Sequence, residues 1–480
     1  MNYISILNIL GWIFGVEGTL MLLPALVALF YGEAQGWYFV LCGLLCGALG
    51  FGLTRIKKKS DHFYAREGNV TVALSWIFMS LLGALPFTLS GEIPSYVDAL
   101  FEIVSGFTTT GASILENVES LSHCMLFWRS LSHWIGGMGV LVFVMTLMPM
   151  SNGGSSFALM QAESTGPTVS KLVPHLKTTA RNLYLIYLGL TVLEILFLLA
   201  GGMTFFEASC YTFGTVGTGG FGLLSSSIAS YSTYIQVVIT VFMVLSGINF
   251  QFFFFLILRR FGDAVKLEEV RWYLAIFFAA TVAIAVGLTV QQGGGWLYNL
   301  QQSAFQAASI MTTTGYATCD FDLWPVFCKV ILLLLMFCGA CSGSTGGGLK
   351  VCRIMIYCRA GIREAKNVIF PRQVRNVRFN GRAMDNKVLR ATMMFLGCYL
   401  MIYVASMVII SVDCGDLTTC FTAVAATINN IGPGFAAVGP TANFSFFNPL
   451  SKLVLIFDML AGRLEVFPML VLLFPSTWRK

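Results

Sequence analysis

The sequence predicts an all-α polytopic membrane protein: four pseudo-repeated helix–pore loop–helix units around a central pore, plus two N-terminal spans. Three observations carry this expectation. Of the 480 residues, 56% are hydrophobic and 11% charged, with a mean hydropathy of +0.78, whereas a soluble domain carries about 25% charged residues. Ten apolar stretches are long enough to cross a bilayer, which takes about 20 residues. Four shorter apolar patches each lead into a glycine-bearing loop.

In chain order the spans fall near 4–31, 36–54, 70–90, 125–149, 182–203, 233–258, 273–291, 325–357, 390–411 and 450–475. The first follows Met-Asn-Tyr-Ile with no basic n-region and no clear small-residue cleavage site, so it is expected to be a retained span. The short patches, near 97–107, 204–216, 300–311 and 417–428, have only 11 to 13 residues. That length suits a half-helix that enters and leaves by the same face. The chain then divides into an N-terminal two-span unit (1–69) and four repeats at 70–181, 182–271, 272–387 and 388–480. The third repeat is expected to be alone in carrying a broken helix, with an intramembrane loop at 338–348.

Basic residues orient the spans. They gather in 55–66 (Arg55, Lys57, Lys58, Lys59, Arg66), 171–181 (Lys171, Lys177, Arg181) and 259–271 (Arg259, Arg260, Lys266, Arg271). With ten in 353–390 and Arg479 and Lys480 at the end, these account for 24 of the 29 Lys and Arg, all on one side of a single topology. That side is expected to be cytoplasmic, with both termini inside. Glu33, Glu92, Asp98, Glu102, Glu116, Glu119, Glu207, Asp320, Asp322, Asp413 and Asp416 fall on the other. They are either an acidic vestibule that concentrates cations or simply solvated loops. The 13 cysteines lie mostly within apolar runs and behave as small hydrophobes. Cys338-x-x-Cys341, with Cys352 and Cys358, mimics metal-ligand spacing, but the first pair interrupts a membrane helix and no His lies nearby.

The loops after the short patches are alike. They read Ser105-Gly-Phe-Thr-Thr-Thr-Gly111-Ala-Ser113, Gly214-Thr-Val-Gly-Thr-Gly219-Gly-Phe221, Ser309-Ile-Met-Thr-Thr-Thr-Gly315-Tyr-Ala317 and Thr427-Ile-Asn-Asn-Ile-Gly432-Pro-Gly434. Glycines 111, 219, 315 and 432 recur at separations of 108, 96 and 117 residues, an internal repeat. Irregular backbone at membrane depth is tolerated only where it is buried in protein or lines a water-filled cavity. Four such loops around one axis offer rings of carbonyls that replace an ion's water. Glycine supplies the backbone freedom to turn those carbonyls inward. Thr108 to Thr110 and Thr312 to Thr314 add hydroxyl oxygens without charge. Loops two and four are poorer copies, with Val216-Gly217-Thr218 and Asn429-Asn430-Ile431 in the corresponding places.

At these residues the chain resembles the Trk/Ktr/HKT superfamily of K⁺ transporters, and within it the bacterial TrkH-like membrane subunits. The resemblance covers nearly the whole chain. Besides the loops it rests on Trp128-Arg-Ser-Leu-Ser-His-Trp-Ile-Gly-Gly-Met-Gly139, Cys338-Gly-Ala-Cys-Ser-Gly-Ser-Thr-Gly-Gly-Gly-Leu-Lys350 and Gly462-Arg-Leu-Glu465. It implies a K⁺ filter bordered by Gly111, Gly219, Gly315 and Gly432, with Thr109, Thr110, Gly217, Thr218, Thr313, Thr314, Asn430 and Ile431 beside them. Glycine at position 111, where plant relatives that pass Na⁺ carry serine, favours K⁺; Asn429-Asn430-Ile431 departs from the pattern. K⁺ bound in the filter is the only ion implied, and no covalent cofactor. The resemblance also implies a homodimer in the bacterial inner membrane on a cytosolic ring binding NAD or ATP. This chain carries no nucleotide motif of its own. The basic segment 353–390 is then a docking surface, or only a topogenic loop.

The stretch 325–357 is 33 residues long, and its middle is rich in Gly, Ser and Thr, which weakens a helix. It is either a kinked helix packed on a neighbour or a broken helix whose loop lies below the filter. The family uses such a loop as its gate, which here covers Gly343, Ser344, Thr345, Gly346, Gly347 and Gly348. That text lacks the GxxxxGK[ST] spacing of a phosphate loop. Lys350 either belongs to the gate or snorkels toward the cytoplasm. Arg463 lies deep in the last span, where charge is costly and usually functional. It is expected to be an electrostatic barrier paired with Glu465 or Asp458.

The alternative function is a coupled secondary transporter, a Na⁺ or H⁺ symporter of a cation or small solute. It fits less well, because the four loops repeat without inversion. An intramembrane enzyme built on His123 or His133 lacks a nucleophile, a metal set or a carboxylate partner, and no feature suggests nucleic acid.

Overall fold

The computed structural model describes residues 1–56, 64–139, 176–373 and 376–478. Lys57, Lys58, Lys59, Lys171, Arg375, Arg479, Lys480 and the 140–149 part of the fourth predicted span lie outside the described residues.

Helices dominate because lipid offers no partner to a backbone N–H or C=O. The N-terminal addition is α1 (Tyr3–Leu20), α2 (Leu22–Tyr31) and α3 (Gly36–Thr54). Small residues let α1 and α3 touch: a Cβ on Gly18 or Gly50 would lie 2.6 Å from a carbonyl oxygen of the other helix. Repeat one is α4 (Ala65–Gly83) with its extension α5 (Leu85–Leu89), pore helix α6 (Tyr96–Phe107) and α7 (His123–Gly137). Repeat two is α8 (Leu176–Ala200), pore helix α9 (Phe205–Val216), α10 (Thr233–Ser246) and α11 (Phe250–Ile257). After α12 (Phe261–Val265), repeat three comprises α13 (Glu268–Gln291), pore helix α14 (Trp296–Met311), α15 (Val326–Cys338) and α16 (Val351–Ile369). An antiparallel hairpin, β1 (Arg378–Phe379) and β2 (Arg382–Ala383), leads to repeat four. That repeat is α17 (Asn386–Ile410), pore helix α18 (Leu417–Ile428), α19 (Pro449–Arg463), α20 (Phe467–Leu473) and α21 (Pro475–Trp478).

The pore helices form the core. Phe305, Ala307 and Ala308 of α14 and Ala423 to Ala426 of α18 are wholly buried. The outer helices instead expose large apolar side chains, among them Leu29 and Phe30 of α2, Leu334 of α15 and Val408 of α17. Such a surface suits lipid. The start of a pore helix is set by a polar cap: Thr204 and Glu207 close a capping box on α9, and Asp416 accepts from Thr419 N (2.9 Å) on α18.

Among the described residues, six helices are long and apolar enough to cross a membrane, or seven if α10 and α11 are one span bent by 93°. The difference from ten predicted spans lies in the second helix of each repeat. These have only 15, 14, 13 and 15 residues in α7, α10, α15 and α19. The expectation that repeat three alone is broken is therefore corrected: α10 and α19 also end and restart, at 247–249 and 464–466. Repeat three differs in degree, with residues 339–350 between its two halves.

Candidate functional site

The four pore helices end in the same way. The amides of Thr108, Gly217, Thr312 and Asn429 donate to carbonyls four residues back, and those of Thr110, Gly219, Thr314 and Ile431 to carbonyls five back, at 2.7–3.2 Å. Between them Thr109, Thr218, Thr313 and Asn430 take φ of 56°, 57°, 59° and 55°, and Gly111, Gly220, Gly315 and Gly432 then take 78°, 79°, 88° and 96°. This register corrects one residue. Gly220, not Gly219, matches Gly111, while Gly219 matches Thr110 and Val216 closes its pore helix. Two adjacent glycines left the alignment ambiguous by one, and the equal 12-residue lengths of α6, α9 and α18 resolve it.

The glycines close a ring. A Cβ on Gly111 would strike the carbonyl of Gly219; on Gly220, that of Thr314; on Gly315, that of Ile431; and on Gly432, that of Thr110 at 2.8 Å. Each loop thus abuts the next around a common axis. Helix C-termini carry partial negative charge, and four converge here on a site with no side-chain charge of its own. Backbone carbonyls and a negative potential suit a cation. Hydroxyls brace the threonine loops, with Thr108 Oγ1 2.8 Å from Thr110 Oγ1 and Thr312 Oγ1 2.8 Å from Thr314 Oγ1. Asn430 ties loop four to loop one by donating to Thr110 Oγ1 (2.9 Å) and also to Met459 O (2.9 Å).

Behind loops one and two stands a charged brace that the sequence did not reveal. Glu102 of α6 and Arg129 of α7 are both buried and form an ion pair at 2.7 Å. Glu102 also accepts from Ser113 Oγ and Ile114 N (both 3.0 Å), and the Arg129 guanidinium lies 4.1 Å over the Phe221 ring. One turn on, His133 donates from Nδ1 to Gly106 O (2.8 Å) and accepts at Nε2 from Phe221 N (3.3 Å). Behind loop three the brace is neutral: Gln306 donates to Thr318 Oγ1 (3.3 Å), which donates to Gln302 Oε1 (2.5 Å). The sequence groups Glu102 with the outer-face acids, yet it is buried; its position inside an apolar half-helix is the available signal.

Below the ring lies residue 339–350 backbone, a true break and not a kinked helix. Positive φ at Gly339, Gly343 and Gly348 turns the chain back on itself. The loop fills the break of repeat two, with Cys341 N donating to Gly247 O (3.0 Å) and Phe250 N to Gly343 O (3.1 Å). Thr345 Oγ1 donates to Ser246 O (3.3 Å), and Ser344 Oγ to Cys341 O (2.6 Å). Glu269, in the first turn of α13 and buried, accepts from Ser342 N (2.6 Å) and Cys352 N (3.3 Å), so one carboxylate holds both ends of the loop. An acid at the start of a span passes in sequence for a solvated first turn, and Glu269 gave no other signal.

Three buried cations sit here, Lys350, Arg353 and Arg463, of which Arg353 forms an ion pair with Glu465. Lys350 is buried and donates to Gly346 O within the loop, so it does not snorkel outward. Arg463, at the end of α19, donates to Thr345 O (2.8 Å), Thr109 Oγ1 (3.3 Å), Gly136 O (2.5 Å) and Gly137 O (2.8 Å). The expected pairing with Glu465 or Asp458 is corrected, because Glu465 pairs with Arg353 and Asp458 accepts from Ser406 Oγ (2.7 Å). Helix ends leave carbonyls free to accept from a cation, and the end of α7 and the loop of repeat three provide those carbonyls.

Above the ring a cavity of about 130 Å³ is lined by Gly111, Gly220, Gly315 and Gly432, with Glu116 and Arg129 as its charged side chains. Most other outer acids staple loops together. Glu92 accepts from Ser122 N (3.1 Å), Glu119 from Ser225 N (2.8 Å), Asp322 from Ala436 N (3.2 Å) and Asp413 from Asn448 N (3.0 Å). These bonds give the outer acids a structural use and exclude a reading of them as solvated loop charges alone.

Comparison with known proteins supports this fold. The chain is 36% identical over 497 residues to the Trk system potassium uptake protein TrkH of Escherichia coli, covering 100% of both. It is 35% identical to that of Vibrio parahaemolyticus, again over 100% of both. The crystal structure of the potassium transporter TrkH from Vibrio parahaemolyticus matches with a TM-score of 0.88 at 33% identity, covering 100% of each chain. The TrkH family model, described as a cation transport protein, matches residues 39–297 and 274–479. The chain belongs to the TrkH family of cation transport proteins.

Proposed function

We propose that this chain is the membrane subunit of a K⁺ uptake system and passes K⁺ inward through the four-loop ring under the membrane potential. The closed ring of carbonyls at Thr110, Gly219, Thr314 and Ile431, each wedged against the glycine of a neighbouring loop, carries this reading. The names of its relatives, potassium uptake proteins, support the choice of ion. The filter comprises Thr109, Thr110 and Gly111; Thr218, Gly219 and Gly220, with Gly217 at the helix end; Thr313, Thr314 and Gly315; and Asn430, Ile431 and Gly432. An inside-negative potential supplies about 2.3 kcal/mol per charge per 100 mV.

The gate is residues 343–348 with Lys350 and Arg463, and this conformation is closed. Two buried cations at the inner mouth repel an ion leaving the filter, and Arg463 is the barrier because it bridges the loop to the filter. The chain lies in the bacterial inner membrane with both termini cytoplasmic, as a homodimer. Its basic segment 353–390 docks a cytosolic ring that binds NAD or ATP. There a cavity of about 380 Å³ is lined by Arg359, Arg363, Lys366 and Arg378, with Glu268 paired to Arg359.

Purified protein in liposomes under an imposed inside-negative potential tests the reading. K⁺ and Rb⁺ should enter, and Na⁺ more slowly. Uptake of an organic solute without any alkali cation would sink it, and an obligatory co-ion would favour a coupled transporter.

A further inference from the structure

Filter and gate share hydrogen bonds, and these fall on the filter's most strained residues. Thr109, Thr218, Thr313 and Asn430 hold φ between 55° and 59°. A β-branched residue is an outlier in that left-handed region and stays there only where its surroundings hold it. In loop two the holding bond is local, from Thr218 Oγ1 to Gly217 O (2.6 Å). In loop four Asn430 bonds to loop one and to α19, as described above.

Loops one and three are held differently. Arg463 Nη1 donates to Thr109 Oγ1 (3.3 Å), and the amide of Gly347 donates to Thr313 Oγ1 (2.6 Å). The gate loop also presses on the ring. A Cβ on Gly346 would lie 2.8 Å from Thr312 O, and one on Gly347 would strike Asn429 O and sit 3.0 Å from the Asn430 Cβ. A gate loop that withdraws must break the Gly347 bond to Thr313, take Thr345 O away from Arg463 and vacate that contact; when Arg463 moves with it, the Thr109 bond breaks as well. The peptides on either side of Thr109 and Thr313 then lose a restraint on their carbonyls.

We propose that Thr109 and Thr313 are latch residues through which the position of the gate sets the discrimination of the filter. The ring is most selective for K⁺ over Na⁺ while Arg463 and Gly347 hold it, and relaxes as they leave. This rests on reading the loops as filter and residues 343–348 with Arg463 as gate. Coupling between two sites is reciprocal at equilibrium, so a change on the filter side must also loosen the gate.

The test measures K⁺ and Na⁺ flux into liposomes for the parent, Arg463→Ala and Thr313→Val. Losing the gate-side bonds in Arg463→Ala should raise flux by about tenfold and the Na⁺/K⁺ flux ratio by about threefold or more. Raised flux with the parent's ratio overturns the latch and leaves the gate reading standing. Flux at the parent's level overturns the gate reading and the latch with it. Thr313→Val keeps the side-chain shape but removes the acceptor of the Gly347 amide, so closed-state leak should rise by about threefold or more. It decides the matter if Arg463→Ala does not accumulate as folded protein, and a leak equal to the parent's then overturns the latch.

Discussion

Loops one and three share the text Thr-Thr-Thr-Gly and the same backbone, with Thr109 at φ 56° and Thr313 at φ 59°. Their surroundings differ. Loop one is braced from behind by the buried ion pair of Glu102 and Arg129, and from below by the guanidinium of Arg463. Loop three is braced from behind by Gln302, Gln306 and Thr318, and from below by the backbone amide of Gly347 in the 339–350 loop. Identical loop sequences therefore do not imply identical dependence on their supports. One loop relies on paired charge out of water, the other on neutral hydrogen bonds, and these fail by different amounts when one partner is removed.

The largest expected effect follows from that contrast. Breaking a buried ion pair leaves one charge uncompensated and costs about 3–5 kcal/mol, whereas replacing both partners by apolar groups is often tolerated. Arg129→Ala should therefore lower the melting temperature of the detergent-purified protein sharply. The double change Glu102→Gln with Arg129→Met should recover most of the loss. Gln306→Ala, behind loop three, should cost only about 1–3 kcal/mol. Equal losses behind the two loops would break the comparison.

A middle-sized effect tests what loop three leans on. Glu269 helps to place the Gly347 amide against Thr313 by holding the 339–350 loop at Ser342 and Cys352. Glu269→Gln keeps the shape but exchanges charge-assisted bonds, each worth about 1.5–3 kcal/mol, for weaker ones. Closed-state K⁺ leak in liposomes should rise severalfold. A leak at the parent's level would mean that the loop is held in place by packing alone.

Much of this pore was legible in the sequence, and the exceptions have physical causes. The pore helices stood out because 11 to 13 apolar residues are too few to span and the pattern recurs. The break at 339–350 stood out because glycine and serine crowd the middle of an overlong apolar run. The break in the last span did not, because Leu464-Glu-Val466 contains neither glycine nor proline. Glu465 and Val466 nonetheless take φ of 57° and 67°, with Glu465 paired to Arg353 and Val466 N donating to Ala461 O (2.7 Å). Tertiary bonds impose that turn against local preference. The one-residue error in loop two arose where Gly219 and Gly220 stand side by side and composition cannot say which bears the positive φ. Arg129 and Glu102 were visible as residues but not as a pair, since 27 positions of sequence separate them.

The smallest effect extends the comparison to the outer face, where repeat one alone carries the N-terminal addition. Glu33, between α2 and α3, accepts from His123 N (2.7 Å) and Cys124 N (3.0 Å), capping the start of α7. The His123 ring stacks on Tyr31 at 4.0 Å. Partial burial alone would raise the Glu33 pKa, but the two amides and the side chains of His123 and Cys124 outweigh it, and the net direction is down from 4.5. A carboxyl lowered on folding adds stability above its ordinary value, and that stability is lost as pH falls through the lowered one. A carboxylate at a helix N-terminus is worth about 0.3–1 kcal/mol, and solvent screening keeps Glu33 near the lower end. Glu33→Gln should therefore melt slightly below the parent at pH 7, and the gap should close as the pH falls below 4.5. A gap that persists unchanged into acid would show that the clamp works through shape and not charge. The N-terminal addition would then grip repeat one through the Tyr31–His123 stack instead.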